Sequence, residues 1–285
     1  MRSGQRHFFA LITIFLLVYT LVNVLPSNLY DPLSSLPFID SRKPSPVTIP
    51  VLATWQIQYT GELDLTVDVQ VFNLDLWDAT PDIIQELRER GIFVMCYFNA
   101  GAYEEWRPDA SAFAPVVLGK DLEGWPGERW LDIRQIDLLG PIMTARLDLA
   151  VAKGCHGVDP DNVNGYTNDT GFALTAEDQL AYNRFLASAA HERGLAIGLN
   201  NDIEQIPELV NDFDWIINES CFRYQECPAL LPFKEAGKPV FVIEYDQVPE
   251  HICLQSQQMG FNTLIKHREL DAYRIDCHQF VQIKT

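Results

Sequence analysis

The string Gly157-Val-Asp-Pro-Asp-Asn162 sets two carboxylates, Asp159 and Asp161, two residues apart at the end of a short apolar run. In an extended strand that spacing puts both side chains on one face. Further along, Trp215-Ile-Ile-Asn-Glu219 ends a second apolar run on an acid. Two carboxyl groups flanking one bond are what glycoside hydrolysis requires. One protonates the leaving oxygen, and the other attacks the anomeric carbon or activates water. Apolar neighbours desolvate Glu219 and raise its pKa, which suits a proton donor. We therefore read Asp161, nearer the strand end, as nucleophile and Glu219 as general acid/base. Asp159 and Asp246 then orient neighbours or hold substrate, and Glu244 is an outside candidate for either catalytic role.

Sugar hydroxyls and flat sugar faces call for amides and aromatic rings. Asn99, Asn162, Asn164, Asn200 and Asn201 stand at or just after apolar runs, as do Trp55, Tyr103, Trp106, Tyr166, Phe222 and Tyr224. Each ring taken alone fits core packing better than a subsite, and only as a group at the mouth do they point to a polysaccharide groove. The competing enzyme chemistry is metal-assisted hydrolysis, with Asp159 and Asp161 joined by His156 or His267. No H-x-x-x-H or H-E-x-x-H pair occurs among the six scattered histidines, and no G-x-S-x-G is present. No metal or cofactor is expected.

The elements that must position these residues are eight short apolar or β-branched runs, at 54–59, 69–76, 92–98, 155–161, 195–201, 213–219, 239–246 and 261–267. Thr80-Pro81 reads as a helix start and Gly91 as its end; Thr175 with Asp178 reads as a capping box for a helix ending at Gly194. Nearly continuous apolar strands alternating with helices argue for a parallel sheet covered by helices. Eight of them predict an α/β fold of the (β/α)8 TIM-barrel type, with a degenerate first unit because the stretch from 59 to 69 has no room for a full helix. Strand starts are apolar or led by glycine, whereas strand ends collect acids and amides. In a barrel those ends share one face, where active sites sit.

Residues 8–25 carry no charge and follow Arg2, Arg6 and His7. As a helix they span about 27 Å, close to a hydrocarbon core of about 30 Å. The run is longer than a signal-peptide core and lacks a clear small-x-small cleavage site. It reads as a transmembrane signal anchor over 1–26, followed by a Ser/Pro-rich stalk over 27–50 and the folded barrel over 51–285. The flanking basic residues place the barrel outside the cytoplasm, as a single-pass type II membrane protein, or a secreted one if the anchor is cleaved. Six cysteines agree with an oxidising compartment. Proximity favours Cys221–Cys227 and Cys253–Cys277, leaving Cys96 and Cys155 as a third pair or as buried thiols. Asn168-Asp-Thr is a glycosylation sequon in a predicted loop; Asn218-Glu-Ser is formally another, but lies inside the expected site. The formal net charge is −18, with 39 acidic against 21 basic residues. Such a body repels nucleic acid and attracts cationic partners. We expect a monomer.

The strings WQIQYTG, CYFNAGAYE, GVDPDN followed by NGY, then NESC and IEYD, resemble glycoside hydrolase family 114, the endo-α-1,4-polygalactosaminidases. The resemblance runs from about Trp55 to His267, with the motifs in the expected order. It implies a (β/α)8 barrel that cuts within chains of α-1,4-linked galactosamine, as in fungal galactosaminogalactan. It also implies a catalytic pair formed by an Asp ending strand four and a Glu ending strand six, which match Asp161 and Glu219, with Asp159 the alternative Asp. A membrane-anchored form is similar to fungal members. The acidic surface then has a cause, since free amines make the polymer cationic. A glycosidase for another α-linked hexose polymer, or a non-catalytic barrel that binds cell-wall polysaccharide, are the other readings.

Overall fold

The computed structural model describes residues 48–247 and 249–280. The expected signal anchor over 1–26 and nearly all of the expected stalk lie outside the described residues. No helix among the described residues is long and apolar enough to cross a membrane.

Each of the eight expected runs contains a strand. In chain order the elements are β1 (Trp55–Gln58), β2 (Val71–Asp75), α1 (Pro81–Glu89), β3 (Phe93–Asn99), β4 (Ala102–Glu104), β5 (Leu118–Asp121), β6 (Glu128–Leu131) and α2 (Ile136–Lys153). There follow β7 (Gly157–Asp161), α3 (Ala176–Glu192), β8 (Ala196–Asn200), α4 (Ile206–Leu209), β9 (Trp215–Glu219), α5 (Cys221–Tyr224) and α6 (Leu231–Glu235). The chain closes with β10 (Val240–Tyr245), α7 (Pro249–Met259), β11 (Asn262–Lys266) and β12 (Ile275–Asp276). Helix ends follow local chemistry. The Thr80 hydroxyl accepts from Ile83 N–H at the start of α1, and Thr175 and Asp178 complete a reciprocal capping box on α3.

The main sheet runs β1-β2-β3-β7-β8-β9-β10-β11, all parallel, with β12 added antiparallel to β11. Side chains bridge the seam between β11 and β1. Trp55 Nε1 donates to Asn262 O at 3.0 Å, Ala53 N to Asn262 Oδ1 at 2.9 Å, and Lys266 Nζ to Gln56 Oε1 at 3.1 Å. The sheet thus nearly closes into an α/β barrel-like fold. Its helical layer falls short of eight full repeats. No helix follows β1, α4 is a single turn, and β11 leads to β12 rather than to a helix.

Period-two alternation sorts each strand between two cores. Trp55, Ile57, Val71, Phe93, Met95, Trp215, Ile217, Phe241, Ile243 and Leu264 fill the barrel interior, whereas Val94, Cys96, Phe98, Val158, Ile216 and Val242 pack outward against the helices. Trp215 is accommodated because β7 and β8 bring glycine to it. A Cβ on Gly198 would lie 2.1 Å from Trp215 Nε1, and one on Gly157 2.6 Å from its ring. Three disulfides fasten the domain. Cys96–Cys155 links β3 to the entry of β7, Cys221–Cys227 closes the α5 loop, and Cys253–Cys277 ties α7 to the residues after β12. This pattern belongs to secreted or extracellular proteins.

The sequence reading passed over the excursion between β3 and α2. Its strands form a separate antiparallel sheet in the order β4-β6-β5. They are short, and their connecting segments carry too little periodicity to separate them from loop.

Candidate active site

The inward positions change character along each strand. Apolar residues (Trp55, Val71, Phe93, Trp215, Phe241) or, on β7 and β8, glycine and alanine occupy the first inward positions, and the last inward position before the mouth is polar: Asp75 on β2, Asn99 on β3, Asp161 on β7, Asn200 on β8, Glu219 on β9 and Tyr245 on β10. Tyr59 follows β1, and Tyr97 stands one inward position below Asn99. Four strands then leave the rim through a residue with positive φ: Asn162 (59°), Asn201 (54°), Ser220 (70°) and Asp246 (52°). Left-handed backbone costs an ordinary L-residue about 1–2 kcal/mol, less for Asn and Asp, so these sharp exits store strain at the mouth.

Above the rim lies a cleft with two arms. The inner arm, about 380 Å³, descends to Ile57, Ile217 and Ile243 and is walled by Asp75, Glu104, Arg107, Asp159, Asn200 and Arg268. The outer arm, about 500 Å³, runs over Lys120, Asp121, Glu123, Asn162, Asn164, Asn168, Asp169 and Asn201. Tyr97, Trp125, Glu128, Asp161 and Glu219 line both, so the two arms meet at the carboxyl groups.

Each buried acid has its own support. Asp161 Oδ2 accepts from the Tyr97 hydroxyl at 3.0 Å and Oδ1 from Asn162 N–H at 2.6 Å. Burial raises its pKa, and these two donors work against the rise by favouring the ionised form. Asp159 sits deeper and accepts from Asn73 Nδ2 (2.7 Å), Asn200 Nδ2 (3.2 Å) and the Tyr59 hydroxyl (3.4 Å). Burial foremost, with the charge of Asp161 adding, pushes its carboxyl up to about 7. Glu219 Oε2 accepts from the Tyr245 hydroxyl at 2.6 Å. Burial first and the Asp161 charge second raise Glu219 to about 7, while the Tyr245 bond pulls the other way. An acid poised near neutrality beside a hydrogen-bonded carboxylate can give a proton to one atom while its neighbour meets positive charge at the next.

A family model for glycoside-hydrolase family GH114 matches residues 39–282. The chain belongs to this family. Among solved structures it is similar to Aspergillus fumigatus Ega3, crystallised in complex with galactosamine, at 40% identity, TM-score 0.76, over 80% of this chain and 96% of that one. It shares its fold with the glycoside hydrolase domain of PelA from Pseudomonas aeruginosa, at 15% identity and TM-score 0.62, over 78% of this chain and 97% of that one. An uncharacterized protein of Deinococcus radiodurans is 24% identical over 278 residues, covering 81% of this chain and 89% of its own length. The protein is a glycosidase of GH114.

Within this GH114 barrel the expected residues divide. Asp161, Glu219, Asp159, Asn162 and Asn200 reach the cleft, as do Trp106, Asn164 and Asn201. Asn99 stands just behind it, donating through Nδ2 to Glu128 Oε2 at 3.0 Å and accepting from Ala102 N–H at 2.7 Å. Trp55 does not reach it. It begins β1, so the strand direction puts it at the barrel floor, fully buried against Phe241. Glu244 occupies an outward position of β10, where Oε1 accepts from Phe222 N–H at 2.8 Å and secures α5. Asp246 is exposed beyond the turn and lines neither arm. Tyr103 packs edge-on against Phe113 and faces a recess behind Trp125. Tyr166 and Tyr224 also lie off the cleft, the latter 64% exposed on α5. Asn218 is buried, which closes that sequon to modification, whereas Asn168 is exposed.

The tyrosines that hold the acids, Tyr59, Tyr97 and Tyr245, were passed over. The signal was present, since each lies two residues beyond an interior apolar residue, as Glu219 lies beyond Ile217. Glu128 and Trp125 were also missed, because the excursion that carries them has no barrel periodicity.

Proposed function

We propose that this GH114 protein is an endo-acting hydrolase that cuts within chains of α-1,4-linked galactosamine, tethered outside the cell by the uncharged apolar segment at 8–25. Glu219 protonates the glycosidic oxygen as the bond to the leaving chain breaks. Asp161 attacks the anomeric carbon, and Glu219, now ionised, takes a proton from the water that releases the product. Asp159 lies under Asp161 as a positioning group, fixed by Asn73, Asn200 and Tyr59. Asn162 and Asn200 face bound sugar. The observation that carries this reading is the meeting of two cleft arms at Asp161 and Glu219, which leaves room for polymer on either side of one scissile bond.

The charge of the cleft supports a cationic substrate. Ten acidic side chains line its two arms against three basic ones, Arg107, Lys120 and Arg268. Arg107 is committed to Asp75 and Glu104 at 2.7 Å each, and Lys120 to Asp169 at 2.6 Å. A polymer of free amines would supply the missing positive charge. Ega3, similar to this chain over most of its length, holds galactosamine.

The soluble domain, incubated with partly deacetylated α-1,4-galactosamine polymer, should release internal fragments of mixed length, read by mass. Chitosan and galactan, offered in parallel, should stay intact. Release of single sugars only would overturn the endo reading, and equal cutting of galactan would overturn the substrate.

Tyr245→Phe tests the proton donor. Its hydroxyl stabilises ionised Glu219, so its loss raises the Glu219 pKa above about 7. The donor must be protonated, so the alkaline limb of kcat/KM should move to higher pH relative to wild type on the same polymer. Titration of the polymer amines is common to both profiles and cancels. An unmoved limb would assign that limb to another group.

A further inference from the structure

The buried acids of the cleft differ in how many of their oxygens are already engaged. Asp75 and Glu104 are both paired with Arg107, Asp159 is held at both oxygens, and Asp161 at both of its own. Among the described residues Glu219 and Glu128 each keep one oxygen without a hydrogen-bond partner. Glu219 needs its free oxygen for the glycosidic bond. Glu128 has no such employment, and it is buried, the residue being only 7% exposed.

The local structure aims this carboxylate. Asn99 is the register partner of Asp161 across β3 and β7, so it stands beside the attacking group. Its Oδ1 is fixed by Ala102 N–H, which turns Nδ2 toward Glu128 Oε2 and leaves Oε1 to the cleft. Glu128 is also the register partner of Glu104 across β4 and β6. Like charges directly opposite are unfavourable, and Arg107 neutralises only Glu104 of that pair. Burial, then Glu104 and Asp161, push Glu128 up to about 8. Glu128 thus carries a carboxyl group whose charged form a cation placed next to Asp161 would favour.

In a 2-amino sugar the amine is carried by the carbon adjoining the anomeric centre. A group bound against Asp161 therefore brings its ammonium within the neighbourhood of the adjacent acids. We propose that Glu128 receives the free ammonium of the galactosamine unit at the scissile bond and so sets the preference for deacetylated over N-acetylated units at that position. An acetamide is neutral and bulkier, so it neither relieves the Glu128–Glu104 repulsion nor fits the same contact. The inference rests on the substrate reading above and deepens it.

The test uses a partly acetylated α-1,4-galactosamine polymer, with tandem mass spectrometry reading which units flank each cut. Wild type should show free-amine units at the position on one side of the bond. Glu128→Gln should cut fully deacetylated polymer about 30- to 100-fold more slowly in kcat/KM, as loss of a charged hydrogen bond in a buried site predicts, and N-acetylated units should appear at that position. Glu128→Asp, which keeps the charge on a shorter arm, should retain the wild-type flanking pattern at reduced rate. Calorimetry with free galactosamine gives an independent reading: Glu128→Gln should weaken it about 30-fold or more and leave N-acetylgalactosamine unchanged. A slower Glu128→Gln enzyme with the wild-type flanking pattern would overturn the proposal, as would unaltered galactosamine affinity. Failure of the wild-type enzyme to cut the polymer at all would instead overturn the substrate reading.

Discussion

Asp161→Asn and Glu219→Gln should each remove cleavage of galactosamine polymer while leaving polymer binding in place. Asn at 161 keeps the size of the side chain but has no anionic oxygen to attack the anomeric carbon, and a loss of about 10⁴-fold or more in kcat is expected. Glu219→Gln removes a proton donor, which accounts for about 10²–10⁴-fold. The two variants should separate on a substrate whose leaving group needs no proton, such as a nitrophenyl galactosaminide. Bond cleavage should recover with Glu219→Gln and stay lost with Asp161→Asn. The charge of Asp161 contributes to raising Glu219, so Asp161→Asn should also lower the Glu219 pKa, visible by carboxyl NMR titration. Retention of more than about a tenth of wild-type activity by Asp161→Asn, far above the residual expected when a nucleophile is lost, would move the attacking role to Asp159.

Removing Cys96–Cys155 should have the largest effect on stability. The bond joins residues 59 apart in sequence, and both partners are buried. Loop-closure entropy for such a span amounts to about 4 kcal/mol. For a domain of this size Cys96→Ala with Cys155→Ala should then lower Tm by roughly 10 °C. The paired change at Cys221 and Cys227, which closes a loop of sequence separation 6, should cost about half as much. Thermal unfolding of the two variants side by side checks the order, and an equal drop in both would show that local packing outweighs chain constraint. The first bond joins β3 to the entry of β7, and these strands carry Tyr97, Asn99, Asp159 and Asp161. Activity at temperatures below melting should therefore fall more in that variant than in the other.

The strands that bring Asp161 and Glu219 to the cleft were legible in the sequence because one rule of alternation governs both their packing and which residues reach the mouth. In Trp215-Ile-Ile-Asn-Glu219 the residues at 215, 217 and 219 run from barrel floor to mouth, so an acid at the fifth place must reach the cleft. The same rule explains the misplacements. Trp55 is an aromatic at the first place of its strand rather than the last, and Glu244 directly follows the interior Ile243, so it takes an outward place on β10, a strand that starts on outward-facing Val240. Asp246 lies one residue past the strand, where the left-handed turn has already carried the chain out of register with the interior. Counting in twos from an interior apolar residue, Met95 or Ile243, rather than by distance from the strand end, excludes Glu244 and Asp246 and finds Tyr97 and Tyr245. Glu128 lay beyond that reach. Its place is set by an antiparallel excursion whose strands pair with one another and not with the barrel.

That excursion has an evolutionary meaning. Asp161 and Glu219 stand on β7 and β9, whereas Trp106, Arg107, Trp125, Glu128 and Trp130 arrive on a single continuous stretch of chain between β3 and α2. Changes confined to this one segment can therefore alter what the cleft accepts while β7 and β9 stay as they are, and relatives that process differently decorated polymers should diverge first there.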